Sequence, residues 1–254
     1  MAMAGSHNWK FGTQEDGDEE AEEVVLRIQG IICSRELPPI QKPFKMWAPH
    51  FLIDMRGLIL GSQPNRRTYM RQSVMLTGLS SPKFNDALAS VHAIQDMFRR
   101  DAPQGIMEDW VPSVFQEHPS IDVGNRYFTP RQNALQDRQV AFSASVDPDH
   151  ILTDAMGDQF VHVEDNQVEY YEARKESGGT KYVINDLLPE FEANDENDRH
   201  YEVAPSIFRV GDIAEGQLSF KVIRLKGKRS KMIVVLRALT LLDKGEVEVS
   251  VGDW

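Results

Sequence analysis

Residues 208–242 constrain the fold of this chain more than any other segment. They contain two apolar, β-branched stretches, 217–226 and 231–242, separated by the short polar sequence 227–230. Two such stretches around a loop of this length predict an antiparallel β-hairpin. The second stretch is apolar enough to be a central strand, so we expect the hairpin to form part of a small closed barrel.

The composition is that of a folded protein with a sizeable core. Hydrophobic residues make up 41% and charged residues 26% of the 254 residues, and both shares are ordinary for folded domains. The single cysteine, Cys33, excludes an internal disulfide and a multi-cysteine zinc site. No apolar run approaches the ~18–20 residues of a membrane-spanning helix. We therefore expect an intracellular protein of the nucleus or cytoplasm that has no membrane partner.

Residues 24–135 predict a mixed α/β part with two strands and one amphipathic helix. The strands are expected at 24–34 and 51–60, which are rich in apolar and β-branched residues. The helix is expected to begin at Ser81, a natural N-cap, with Pro82 in the first helical position. Five apolar residues at helical spacing predict its buried stripe. They are Phe84, Leu88, Val91, Ile94 and Phe98.

The pattern of residues 136–254 predicts a β-rich, barrel-like half, and an OB-like barrel is the candidate fold for it. Residues 140–146 alternate apolar and small polar side chains, and Asp165-Asn166 between two apolar stretches predicts a tight hairpin turn. The fold class is therefore α+β. Residues 1–23 form an acidic tail, and the absence of a flexible linker near residue 135 leaves open that the two larger parts share one core.

The C-terminal hairpin carries a local excess of positive charge in an acidic protein. The net charge is −11, yet no Asp or Glu occurs between residues 221 and 237. Clusters of this kind bind phosphates, because each neutralised phosphate releases a counterion. The alternative is that the hairpin is an exposed strand pair, and that its positive charges serve only to prevent aggregation. The candidate nucleic-acid-binding residues are Lys221, Arg224, Lys226, Lys228, Arg229, Lys231 and Arg237.

These residues favour a non-enzymatic protein that binds single- or double-stranded nucleic acid. A structural or protein-interaction module is the rival hypothesis. In it, acidic residues 15–23 or 190–198 of one copy contact the basic hairpin of another, although single exposed ion pairs contribute only about 0–1 kcal/mol.

A metal enzyme is the third hypothesis. His162 and Glu164 are two residues apart on a predicted strand and so share a face. With His200 they would complete the two-histidine, one-carboxylate set of non-haem iron enzymes. The sequence has no phosphate-binding loop, no dinucleotide-binding glycine motif and no zinc-protease or hydrolase motif. We therefore expect no cofactor, and no residue is assigned as catalytic.

The C-terminal segment follows a recognisable outline. A Phe-Arg-x-Gly-Asp-Ile element precedes a strand, a Lys-Gly hairpin and an apolar strand that ends in Leu-Arg. This outline resembles the C-terminal portion of a group of uncharacterised proteins from mushroom-forming fungi. Residues 214–216 depart from it, and Gly216 is a candidate bulge. The resemblance covers about forty residues and implies origin and a similar fold, without an activity. The matching residues are Phe208, Arg209, Gly211, Asp212, Ile213, Lys226, Gly227, Leu236 and Arg237.

Overall fold

The structure is a computed structural model that describes residues 25–40, 66–101, 106–175, 198–225, 227 and 229–244. This part of the chain contains eleven strands and two α-helices. The strands are β1 Leu26–Glu36, β2 Arg71–Thr77, β3 Ile106–Glu108, β4 Ser113–Phe115, β5 His118–Arg126, β6 Thr129–Pro130, β7 Phe160–Val161, β8 Glu169–Lys175, β9 Asp198–Glu202, β10 Ile213–Arg224 and β11 Arg229–Asp243, and the helices are α1 Pro82–Asp101 and α2 Ile151–Met156.

Some of the predicted features lie outside the described residues. They are the acidic tail 1–23, the predicted strand 51–60, the acidic residues 190–197, and the two lysines Lys226 and Lys228.

Five strands form a closed barrel. β1 pairs antiparallel with β2 on one side and with β10 on the other, and β5 continues the sheet from β2. β11 pairs with β10 and closes the ring by a parallel contact of Val235 with Gly124 of β5. The order β10-β1-β2-β5 places the fourth strand beside the first, as in a Greek key. This confirms the β-rich, barrel-like α+β fold, and the OB-fold is one example of a five-stranded Greek-key barrel.

The barrel core draws on both parts of the chain that the sequence distinguished. Ile28, Val74 and Ile121 come from β1, β2 and β5, and each is at most 1% exposed. Leu218 and Leu236 come from β10 and β11 and are fully buried in the same cluster. A boundary near residue 135 therefore does not divide the hydrophobic core.

The predicted amphipathic helix is confirmed as α1. Its stripe packs into the barrel core, with Phe84, Leu88 and Val91 at most 5% exposed. Ser81 precedes the first helical residue Pro82 as predicted, but its buried Oγ has no hydrogen-bond partner among the described residues, so its side chain does not cap the helix. The Ser81 carbonyl instead accepts a hydrogen bond from the Asn85 amide at 3.1 Å. The chain thus enters the helix through backbone contacts.

The two predictions for residues 136–168 are wrong. Residues 140–143 have no regular structure and residues 144–146 form a turn, so no strand is present there. Asp165-Asn166 lies in the 3₁₀ turn Glu164–Asn166. The strands on either side of this turn do not pair with each other, because β7 pairs with β6, while β8 pairs with β9 and β11. The cause is the buried Asn166 side chain, whose Oδ1 accepts hydrogen bonds from the Val163 amide and the Thr129 hydroxyl. These contacts tie the turn to its neighbours.

Four further strands complete the main sheet. β8 adds to β11 in parallel, and β9 follows β8. β3 runs parallel to the first residues of β11, and β4 lies beside β5. No helix in the described ranges has both the length and the apolarity to cross a membrane.

Candidate functional site

The β10–β11 hairpin extends past the end of β1. Within the described residues, β1 pairs with β10 over 213–218. β10 and β11 continue together as far as Arg224, which lies opposite Ser230. Residues 225–228 join the two strands. We call residues 224–231 the hairpin tip.

Two of the predicted basic residues bind a carboxylate of the protein itself. Lys221 and Arg237 both contact Oδ1 of Asp165, through Nζ and through Nη2 at 2.9 Å. Arg237 also donates to the Asp165 carbonyl at 2.8 Å and to the Ser219 hydroxyl at 2.8 Å. Both side chains are less than one-fifth exposed. They join the 3₁₀ turn to the hairpin.

Electrostatics keep the Asp165 carboxylate ionised. Burial alone would raise its pKa, but the charges of Lys221 and Arg237 and their hydrogen bonds outweigh burial. The pKa of the Asp165 carboxyl therefore lies below its ordinary value of 3.8. The three side chains form one ion-paired group, in which two positive charges share one carboxylate.

The hairpin tip holds the other basic residues. The exposed Arg229 contacts Glu108 of β3 at 3.0 Å, because β3 lies beside the first residues of β11. Arg224 is exposed and Lys231 is half-buried. Neither makes an ion pair within the part of the chain that the structure describes. Of the five predicted residues that the structure describes, Lys221 and Arg237 form an internal pair, and Arg224, Arg229 and Lys231 lie at the hairpin tip.

The predicted metal set is not brought together. His162 is buried, and its Nδ1 lies 2.8 Å from the Tyr127 carbonyl. Glu164 is exposed and pairs with Arg138 at 3.0 Å. His200 lies on the outer strand β9 with its ring edge-on to Tyr171. The described residues contain no group of three His, Cys, Asp or Glu that could hold a metal ion.

Cys33 has the surroundings of a structural thiol. Its Sγ donates to the Met75 carbonyl at 3.3 Å. Burial raises the pKa of the thiol to about 11. Because the thiolate is the reactive form, this cysteine is a poor nucleophile at neutral pH.

A cavity of about 270 Å³ was not predicted from the sequence. Its lining includes Gln72 of β2, Phe142, His162 and Tyr170. These residues come from four separated segments and show no common spacing. Only His162 was a candidate, and for a different role.

Comparisons with family models, with curated proteins and with solved structures give no match to this chain. The resemblance to the fungal group therefore stays a prediction.

Proposed function

We propose that this chain is a non-enzymatic binding protein that contacts nucleic acid through the hairpin tip. The observation that carries the proposal is the distribution of charge on the hairpin. Arg224, Arg229 and Lys231 lie at its end, and the connecting loop contributes Lys226 and Lys228 from the sequence. Glu108 contacts Arg229 of this group at 3.0 Å. A cluster of five basic residues suits a phosphate backbone.

The barrel topology also favours the hairpin tip as the surface that binds nucleic acid. In OB-type barrels, the loops that join the first two and the last two strands bind oligonucleotides. Here β10 and β11 are the fourth and fifth strands of the barrel, so the loop 225–228 occupies the second of these positions. Lys221 and Arg237 are assigned a different role, because they bind Asp165.

Fluorescence anisotropy with single- and double-stranded oligonucleotides tests the proposal. We expect binding at ~50 mM salt that weakens steeply as salt is added. A variant with Arg224, Lys226, Lys228 and Lys231 all changed to Gln should lose most of the affinity. Its slope of log K against log salt should fall by about 3, since each lost phosphate contact removes roughly 0.7–0.9.

The matched control removes positive charge at another surface. Arg131 and Arg138 lie in the segment between β6 and β7, where both are exposed. Arg131→Gln with Arg138→Gln should leave binding nearly unchanged when compared with Arg224→Gln with Lys231→Gln. Equal losses in both pairs would indicate a general charge effect. Absence of binding at ~50 mM salt would end the proposal, because even non-specific binders respond there.

A protein-interaction role is the second candidate, and the outer edge of β10 favours it. Within the described residues, the pairing of β1 with β10 ends at Leu218, whereas β10 continues to Arg224 beside β11. An unpaired strand edge accepts a further strand through backbone hydrogen bonds. Arg224 on this edge would attract an acidic strand, including one from a second copy of this chain.

Light scattering at several salt concentrations tests this role. Self-association through acidic and basic segments should appear as a mass above that of the monomer at low salt and should decrease as salt screens the charges. A monomeric mass at every salt concentration would contradict self-assembly.

A further inference from the structure

The cavity lies between residues 141–146 and the strands β8 and β9. Its floor contains buried side chains, among them His162, Val168 and Tyr170. Its rim contains the exposed residues Glu169 and Glu202. The basic residues of the hairpin are not part of its lining. The cavity is therefore a separate candidate site.

His162 presents a hydrogen-bond acceptor to the cavity. The side chain is 5% exposed, and its ring stacks on Phe142 with centroids 4.0 Å apart. Nδ1 lies 2.8 Å from the Tyr127 carbonyl, which can only accept, so Nδ1 carries the hydrogen. Burial lowers the pKa of His162, which keeps the ring neutral. Nε2 is then an acceptor, and it has no partner among the described residues.

Three side-chain donors in the lining already donate within the protein. The Tyr170 hydroxyl donates to Gln72 Oε1 at 2.7 Å, and the Gln72 amide donates to the Asn166 carbonyl at 3.1 Å. The Tyr171 hydroxyl donates to Glu169 Oε2 at 2.8 Å. Among the groups left for a ligand, the buried acceptor His162 Nε2 and the carboxylates of Glu169 and Glu202 suit one that is rich in N–H groups.

The charge of the lining agrees with this chemistry. Glu169 and Glu202 contribute two carboxylates, and the lining includes no Lys or Arg. Three aromatic side chains, Phe142, Tyr170 and Tyr171, add surfaces that attract cations. We propose that this cavity binds a compact organic cation, a guanidinium or primary ammonium group, with His162 Nε2 and the carboxylates of Glu169 and Glu202 as acceptors.

NMR titration of the full chain with methylguanidinium chloride tests the proposal. Urea is the matched neutral probe, because it has a similar planar shape without the charge, and acetate is the anionic probe. We expect saturable shifts for methylguanidinium or methylammonium at residues that line the cavity, and no saturation for urea or acetate up to about 20 mM.

Two charge-matched variants make the assignment specific. Glu169→Gln with Glu202→Gln should weaken cation binding by about tenfold or more, since charge-assisted hydrogen bonds are the stronger ones. Asp86→Asn with Asp149→Asn removes the same charge from exposed positions outside the lining and should leave binding unchanged. All four side chains are exposed, so the folded state should survive both pairs of substitutions.

A second ligand distinguishes a small free cation from the arginine side chain of a polypeptide. A short peptide with one arginine that binds more tightly than methylguanidinium would indicate a polypeptide partner, and the reverse order would indicate a small free molecule. Both results support a cation site. Equal responses to urea and methylguanidinium, absence of saturable binding to the cations, or unchanged affinity in the Glu169/Glu202 variant would overturn it.

Discussion

At the scale of single residues, Asp165 determines how the hairpin is held. Its carboxylate pairs with Lys221 and Arg237, and its carbonyl accepts hydrogen bonds from Arg237 and from Asn125 of β5 at 2.8 Å. One residue thus links the 3₁₀ turn to strands β5, β10 and β11. This linkage explains why two cations within the basic run are unsuited to bind a ligand.

We expect Asp165→Asn to destabilise the protein by about 2–3 kcal/mol. The substitution leaves two mostly buried cations without their counter-charge, which costs ~3–5 kcal/mol in fully buried pairs. The value should be lower here because the Asp165 side chain is 31% exposed. The neighbouring Glu164→Gln breaks an exposed pair and should cost about 0–1 kcal/mol. Urea unfolding of both variants measures the difference, and equal costs would contradict the linkage.

His162 should make the protein less stable in weak acid. Burial lowers its pKa below the ordinary 6.5, so the unfolded chain binds the proton more readily than the folded chain. The stability contribution is present above pH 6.5 and is lost as the pH falls from there towards the folded-state pKa. The free energy of unfolding measured between pH 7 and 5 should show this loss, and His162→Gln should reduce the slope.

The Asp165 carboxyl group affects stability in a different pH range, which separates the effect of His162 from acid unfolding in general. The Asp165 pKa is lowered, so its contribution is present above pH 3.8 and is lost only as the pH falls below that value. It does not act between pH 7 and 5. An unchanged slope in the His162→Gln variant would show that other groups cause the loss in weak acid.

At the scale of elements, the position of α1 depends on a close approach at Gly78. A Cβ atom on this glycine would lie 2.2 Å from Cβ of Phe84, whose ring is buried in the barrel core. The turn between β2 and α1 therefore has room only for a hydrogen at this position. The helix can then insert its first apolar residue directly after the turn.

Gly78→Ala should destabilise the protein by about 1–3 kcal/mol, the usual cost of overpacking a core. Gly216→Ala is the matched control, because its added methyl would meet Leu218 and Leu76 at an ordinary 3.4 Å. We expect the control to cost less than about 1 kcal/mol. Thermal unfolding of both variants is the measurement, and a Gly78→Ala protein as stable as the wild type would contradict the packing argument.

The elements that were predictable from the sequence are those with a long, regular pattern. The stripe of α1 consists of five apolar residues at helical spacing. β10 and β11 have twelve and fifteen residues, with a polar loop between them. Residues 140–166 have no such repeat. Their structure depends on side-chain contacts such as those of Asn166, which a local pattern does not reveal.

At the scale of the whole molecule, the barrel joins distant parts of the chain into one cooperative unit. β1, β2 and β5 precede residue 135, while β10 and β11 follow it. β1 needs β10 as a neighbour, and β5 contacts β11. Neither part contains a complete barrel.

Fragments 1–135 and 136–254 should therefore fail to fold separately. Each should lack chemical-shift dispersion in NMR spectra, because each would expose the apolar face of an incomplete barrel. The intact chain should unfold in a single transition that far-UV circular dichroism and tryptophan fluorescence report at the same urea concentration. A cooperative transition in either fragment would contradict the shared core.

The sequence by itself determined the basic hairpin, the amphipathic helix and the β-rich fold class, because periodicity and turn residues act over short distances along the chain. Only the tertiary structure decided that Lys221 and Arg237 bind Asp165, whereas Arg224 and Lys231 remain at the tip. It also decided that His162 faces a cavity with Glu169 and Glu202. The partners of these charges lie tens of residues away, so only the fold can show which are compensated and which are available to a ligand.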